Sequence, residues 1–295
     1  MSLFDAPFRR RCESLDQAAR RSWGSRFLGR RLDRRWAGGS EFVGHSDYTS
    51  GDDFRYVDWQ ICARHDELVT RQFRGSEDRI VYLVLDASPG MGLGEPRKFD
   101  AARRLGAALG YMALAALDRV GVVAVSDRIV AEFPPCRGRD RLPKLFRFLE
   151  GLQVDAAPVK LKTAVESFVQ HRPHRGIAIV ISDLFDPAGF EGAIDLLAVR
   201  GFEPFLLQVV DDREADPQFS GSVKLQEVGG SRSRNAYLEE LDLQNYRQVF
   251  REFSAGCRRY CARRSIGIVQ TRTSVPFQES VLRMIRLSVS RMYSQ

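Results

Sequence analysis

A doubly wound α/β fold on a mostly parallel sheet is what this 295-residue sequence predicts, and three observations predict it. From residue 80 onward, strand-like and helix-like segments alternate. Two of the strand-like segments, IVYLVLD (80–86) and GIAIVIS (176–182), are continuous apolar runs, as strands covered on both faces require. Between them, VGVVAVS (120–126) and RIVAEFP (128–134) adjoin with a tight link at Asp127, which adds one antiparallel edge strand.

The elements follow in order. Leu15, Ala18, Ala19, Trp23, Phe27, Leu28 and Leu32 recur at helical spacing and predict a helix over 14–36, stopped by Gly38 and Gly39. Gly44, Ser46, Asp47, Thr49, Ser50 and Gly51 read as loop, and Leu68 to Phe73 as a short strand. KFDAARRLGAALGYMALAAL (98–117) is an Ala/Leu-rich helix. Helices are expected at 139–151 and 161–170, then a helix at 188–200 and a strand at 202–210. Residues 211–240 are polar and irregular, with a hairpin around Val223 to Val228 and Gly229-Gly230. A long amphipathic helix (242–264), a strand (265–271) and a closing helix (277–290) complete the chain. Three regions result: an Arg-rich helical arm (1–38), an Asp/Arg/Trp segment expected to pack on the core (39–78), and the α/β domain (79–295).

With 44% hydrophobic and 28% charged residues, the chain can bury a substantial core, which excludes disorder for its body. No apolar run approaches the roughly 20 residues of a membrane helix, and MSLFDAPFRRRCESLDQ has no apolar stretch after its charges. The expected location is the cytosol. Cys12, Cys62, Cys136, Cys257 and Cys261 are odd in number and form no CxxC pair. Cys257 and Cys261 share a helix face, where packing is the simpler reading than metal or redox chemistry. The net charge of +7 gathers early, in Arg9, Arg10, Arg11, Arg20, Arg21, Arg26, Arg30, Arg31, Arg34 and Arg35. Such an arm suits nucleic acid, acidic lipid or an acidic protein.

In open parallel sheets, ligands bind beyond the carboxyl ends of the strands. Two strands end there in acids: one in Asp86-Ala87-Ser88-Pro89-Gly90-Met91, the other in Ser182-Asp183-Leu184-Phe185-Asp186. Asp86, Ser88 and Asp183 are hard oxygen donors suited to Mg²⁺. The alternative is that they cap the elements that follow.

This pattern resembles the metal-ion-dependent adhesion site of von Willebrand factor A domains, D-x-S-x-S with a later threonine and aspartate. Asp86, Ser88 and Asp183 match; Gly90 stands at the second serine and Val159 at the threonine, with Thr163 out of register. The resemblance implies a von Willebrand factor A-like, Rossmann-like fold and a degenerate site with Mg²⁺ weakly held or absent. A second resemblance covers nearly the whole chain. GHSDYTSGDDFRYVDWQICARHDELVTRQF is similar to the signature of the bacterial domain-of-unknown-function family number fifty-eight, approximately R/S-x-Y-x-x-G-D-D-x-R-x-I-D-W-x-x-x-A-R. Tyr48, Gly51, Asp52, Asp53, Arg55, Val57, Asp58, Trp59, Ala63 and Arg64 match, and Asp47 stands where the family usually has arginine. The resemblance implies association with MoxR-type AAA ATPases in assembling or remodelling protein complexes. The charged residues around Trp59 read either as a paired brace or as a docking surface.

Three function classes follow. One is a non-catalytic protein-interaction module serving a MoxR-type ATPase. Another is a metal-dependent hydrolase using Asp86 and Asp183. The last is nucleic-acid binding through the arm, whose arginines lack the interleaved aromatics of a stacking platform. GLGEPRK (92–98) lacks phosphate-loop spacing, and no G-x-S-x-G elbow occurs. His45, His65, His171 and His174 are the only histidines, the last two in a polar turn.

Overall fold

Strict alternation along the central strand decides the layering of this molecule, a computed structural model that describes residues 3–23, 41–48, 57–65, 68–74, 80–170, 172, 174–219, 221–230 and 232–293. The chain divides into two units: Met1–Leu28 with Ile80–Gln295, and Gly29–Arg79.

In the larger unit, β3 (Ile80–Asp86) leads into α3 (Lys98–Ala115), β4 (Arg119–Val125), β5 (Ile129–Arg137), α4 (Leu142–Gly151) and α5 (Leu161–Gln170). Then come β6 (Gly176–Ser182), α6 (Glu191–Val199), β7 (Glu203–Val210) and a one-turn helix α7 (Asp212–Ala215). The hairpin of β8 (Gly221–Gln226) and β9 (Ser233–Leu238), α8 (Glu240–Arg263), β10 (Gly267–Arg272) and α9 (Phe277–Tyr293) follow, and α1 (Ala6–Trp23) precedes them all. The six-stranded sheet runs β10-β7-β6-β3-β4-β5, parallel throughout except for the antiparallel β4–β5 pair. This is the doubly wound, Rossmann-like α/β arrangement the alternation predicts.

Every residue of β3 is buried. Val81, Leu83 and Leu85 face a core built with α1, α3, α4 and α9, while Ile80, Tyr82 and Val84 face one built with α5, α6 and α8. Period-two side chains on a strand buried on both faces produce two cores from one run of apolar residues. Gly110 of α3 permits close approach: a Cβ there would lie 2.6 Å from Leu145 Cδ2 on α4. Cys257 and Cys261 lie buried in the second core, and burial pushes the Cys257 thiol up to about 12. Such a thiol packs rather than reacts. At the β5 edge, Pro134 and Pro135 coincide with a bulge in the pairing to β4, between Val120 and Val122.

Helix α1 begins eight residues before the apolar spacing suggests, because Phe4, Phe8 and Cys12 join Leu15 and Ala19 in the first core. Phe8 packs against Phe146 and Phe277 at ring-centroid distances of 6.2 and 4.8 Å. The expected continuation of this helix, from residue 24 to 36, lies outside the described residues. Among the described residues, no helix is long and apolar enough to cross a membrane.

In the smaller unit, β1 (Glu41–Asp47) pairs antiparallel with β2 (Val69–Arg74), with α2 (Trp59–His65) between them in sequence. Strand β1 is absent from the sequence expectation, since Gly44, Ser46 and Asp47 read as loop; the pairing with β2 overrides that propensity.

Candidate functional site

Strand β3 is the switch point of the sheet: the chain leaves it toward β4 on one side and later returns to β6 on the other. The carboxyl ends of β3 and β6 lie side by side, the region where doubly wound folds bind ligands. Asp86, Ser88 and Asp183 are all buried here.

Asp86 has both oxygens engaged. Ser182 donates its hydroxyl to Oδ2 at 2.6 Å, and the Ser88 backbone N–H donates to Oδ1 at 2.9 Å. Burial, reinforced by the charge of Asp183, raises its carboxyl to about 6. Asp183 is fixed by the turn after β6. Its Oδ1 accepts the Phe185 N–H at 2.9 Å, and its carbonyl accepts Gln208 Nε2 at 3.0 Å. Leu184, next in line, has φ of 65°, a left-handed conformation that costs a leucine about 1–3 kcal/mol and is held by Ser182 Oγ accepting its N–H at 2.9 Å. Gly90 faces the same spot: a Cβ there would sit 3.3 Å from Asp183 Oδ2 and 3.9 Å from Ser88 Oγ. Val159 is buried, and Thr163 lies exposed on α5.

The residue that sequence reasoning misses is Lys98. It is the first residue of α3, is 0% exposed, and donates from Nζ to Asp183 Oδ2 at 2.7 Å and to Glu214 Oε1 at 2.5 Å. The ammonium also lies 5.4 Å from the Phe185 ring centroid. Burial works against its charge, yet Asp183 and Glu214 more than offset this and hold its pKa above the ordinary lysine value. Glu214 stands on α7, whose N-cap Asp211 accepts Arg213 N–H at 3.0 Å while Glu214 accepts Asp211 N–H at 3.1 Å, a capping box. The D-x-x-E spacing of Asp211 and Glu214 is the signal that would have found this turn.

A divalent ion does not fit this donor set. Asp183 Oδ2 already carries an ammonium, Asp86 carries two hydrogen-bond donors, and positions 90 and 159 supply no side-chain oxygen. Among the described residues, no three His, Cys, Asp or Glu side chains converge as metal ligands.

Beside this centre lies an apolar hollow of about 590 Å³, lined chiefly by Leu93, Phe219, Leu225, Leu238, Leu243 and Tyr246. Glu214 and Asp211 also contribute to its wall. Phe219 and Tyr246 are 49% and 44% exposed, a large exposure for aromatic side chains. From Tyr246 a row of rings continues through Phe250 and Phe185 to Phe253, at centroid spacings of 6.4, 6.2 and 5.1 Å.

In the smaller unit, Asp58 is buried and caps α2. Its Oδ1 accepts the N–H groups of Gln60 and Ile61 at 3.1 and 3.3 Å, and its Oδ2 lies 3.0 Å from His45 Nε2. Trp59 is 62% exposed, and the Tyr48 N–H donates to the Leu68 carbonyl at 2.8 Å. Arg64 lies within α2. Gly51, Asp52, Asp53 and Arg55 fall outside the described residues.

A family model described as "Protein of unknown function DUF58" matches residues 45–258. Uncharacterised proteins of Mycobacterium bovis and Mycobacterium tuberculosis are each 26% identical over 185 residues, 61% of this chain and 58% of theirs. The chain thus spans under two thirds of the length of these relatives. Among solved structures, the conserved hypothetical protein BatB from Bacteroides thetaiotaomicron is similar over 73% of this chain and 99% of its own, at 16% identity and a TM-score of 0.45. An aerotolerance-related membrane protein from Bacteroides fragilis is similar over 70% and 98%, at 16% identity and a TM-score of 0.42.

Proposed function

On the premise that the chain belongs to the DUF58 family, we propose that it is a non-catalytic protein-interaction module whose docking surface is the carboxyl rim of the larger unit. The hollow beside Lys98 and Glu214 carries this reading. Its exposed aromatic and aliphatic lining suits an apolar segment of a partner protein, and aromatic anchors in a concave site are the usual energetic centre of such contacts.

The partner we propose is a MoxR-type AAA ATPase or a client presented to it, acting in the cytoplasm. Support for the ATPase comes from the family resemblance of residues 44–73. The hydrolase reading is weaker, because Asp86 and Asp183 are committed to internal donors.

The test is affinity capture from a native extract of the source cells, with and without Mg²⁺-ATP, followed by mass spectrometry. A MoxR-type ATPase is expected among the bound proteins, and it is lost when Phe219→Ala and Tyr246→Ala are combined with folding intact. Absence of any such ATPase in both conditions overturns the partner. Equal capture by the double variant overturns the surface.

A further inference from the structure

We infer that the ammonium of Lys98 is the resident cation of the carboxyl-rim centre, standing in the place a divalent metal would take, so that the rim is a metal-independent binding surface. The inference does not depend on who the partner is.

Three observations carry it. Lys98 is wholly buried, and its Nζ bridges carboxylates from two different connections, Asp183 after β6 and Glu214 on α7. A buried lysine that only filled space would be more cheaply replaced by an apolar residue, since desolvating an ammonium costs several kcal/mol. Its position is also the wrong one for local helix energetics. It opens α3, where the helix dipole disfavours a positive charge. A side chain placed against both burial and the dipole is explained by the carboxylates it must neutralise.

The second observation is the geometry around Asp183 Oδ2. That oxygen is the one nearest the Gly90 position, at 3.3 Å from a Cβ built there, and it is the one the ammonium occupies. A serine at position 90 would bring its hydroxyl toward the same oxygen. The missing donor and the added cation therefore address the same carboxylate oxygen of Asp183. A divalent ion on Asp183 Oδ2 would share that oxygen with the ammonium, and because the two positive charges repel, they compete for it.

The third is charge. Asp183 and Glu214 face one another across a single cation, with Asp86 behind Asp183. Removing the ammonium leaves buried carboxylates with no compensating charge, the composition that recruits a hard cation.

The experiment is a Mn²⁺ titration of the full chain, followed by electron paramagnetic resonance of free Mn²⁺, on the wild type, Lys98→Ala and Lys98→Ala/Gly90→Ser. The wild type is expected to show no saturable site, and its thermal midpoint is unchanged by EDTA. Lys98→Ala gains one site at least about tenfold tighter than any wild-type binding, equal to about 1.4 kcal/mol. The added serine tightens it further, and adding Asp183→Asn abolishes it. If Lys98→Ala is poorly folded without metal, Mn²⁺ restores its far-ultraviolet circular dichroism, because a cation that binds only the folded state stabilises it. One Mn²⁺ per wild-type chain, lost in Asp183→Asn, overturns the inference. So does a Lys98→Ala variant that neither binds Mn²⁺ nor is stabilised by it.

Discussion

Replacing Lys98 by methionine keeps the length and the apolar stem of the side chain and deletes only the ammonium. The volume change is small, so the cavity contribution that dominates large-to-small substitutions is minor here. What is lost is the bridge to Asp183 at 2.7 Å and to Glu214 at 2.5 Å, both side chains well shielded from water at 3% and 20% exposure. Breaking a buried pair by removing one partner costs about 3–5 kcal/mol, because the other charge stays behind. The contact with the Phe185 ring adds about 0.5–1 kcal/mol. For a domain of this size, the thermal midpoint is expected to fall by about 6–20 °C. Urea denaturation followed by circular dichroism at 222 nm measures the free energy directly. The loss is expected to shrink at acid pH, since burial already raises the Glu214 carboxyl and protonation removes the orphaned charge. A double-mutant cycle with Asp183→Asn isolates the pair and is expected to return a coupling above about 1 kcal/mol. A Lys98→Met variant that loses less than about 1 kcal/mol at neutral pH, with no coupling to Asp183, refutes the reasoning. It would mean that the carboxylates are neutralised by something other than this lysine.

Two further expectations concern the other carboxyl groups. The Asp86 carboxyl is raised by burial to about 6, above its unfolded value of 3.8, so its contribution favours the folded state fully below about pH 4 and is lost as pH rises through 6. Asp86→Asn should remove about 2–3 kcal/mol of that pH dependence; urea midpoints at pH 4 and pH 7 that keep the same difference in wild type and variant would count against it. In the smaller unit, Asp58→Ala removes the cap of α2 and the contact with His45, at a cost of about 1–2 kcal/mol. Amide hydrogen exchange should speed up over 57–65 and 41–48 while 80–86 stays protected, and unchanged exchange in the first two segments would argue that Asp58 serves recognition rather than the brace.

The sheet was legible because its strands are buried on both faces. IVYLVLD and GIAIVIS carry no polar residue until their last position, and that position is where the chemistry sits. Once Asp86 and Asp183 are placed at carboxyl ends on either side of a switch point, their meeting follows from topology alone. Lys98 was illegible for a physical reason. In KFDAARRLGAALGYMALAAL it opens an ordinary helix, and no periodicity distinguishes a lysine in water from one paired to Glu214, 116 residues away. The turn carrying Glu214 was hidden in a polar stretch, although the Asp211 and Glu214 spacing spells a capping box. The apolar hollow also escaped notice, since Leu93, Phe219, Leu225 and Tyr246 come from four separate segments with no shared period. Strand β1 was lost to its own residues, which favour turns and are held extended only by β2.

The two prolines at the β5 edge bear on how copies of this chain can assemble. A sheet edge is a template for another strand, and β5 is the outermost strand on its side. Pro134 and Pro135 present two consecutive peptide units without a hydrogen to donate, in the middle of that edge, just where the bulge already bends it. An incoming strand would meet a gap in its ladder after a few residues. Growth of fibres or strand-exchanged dimers from this side is therefore obstructed at the backbone level, whatever the side chains of the newcomer.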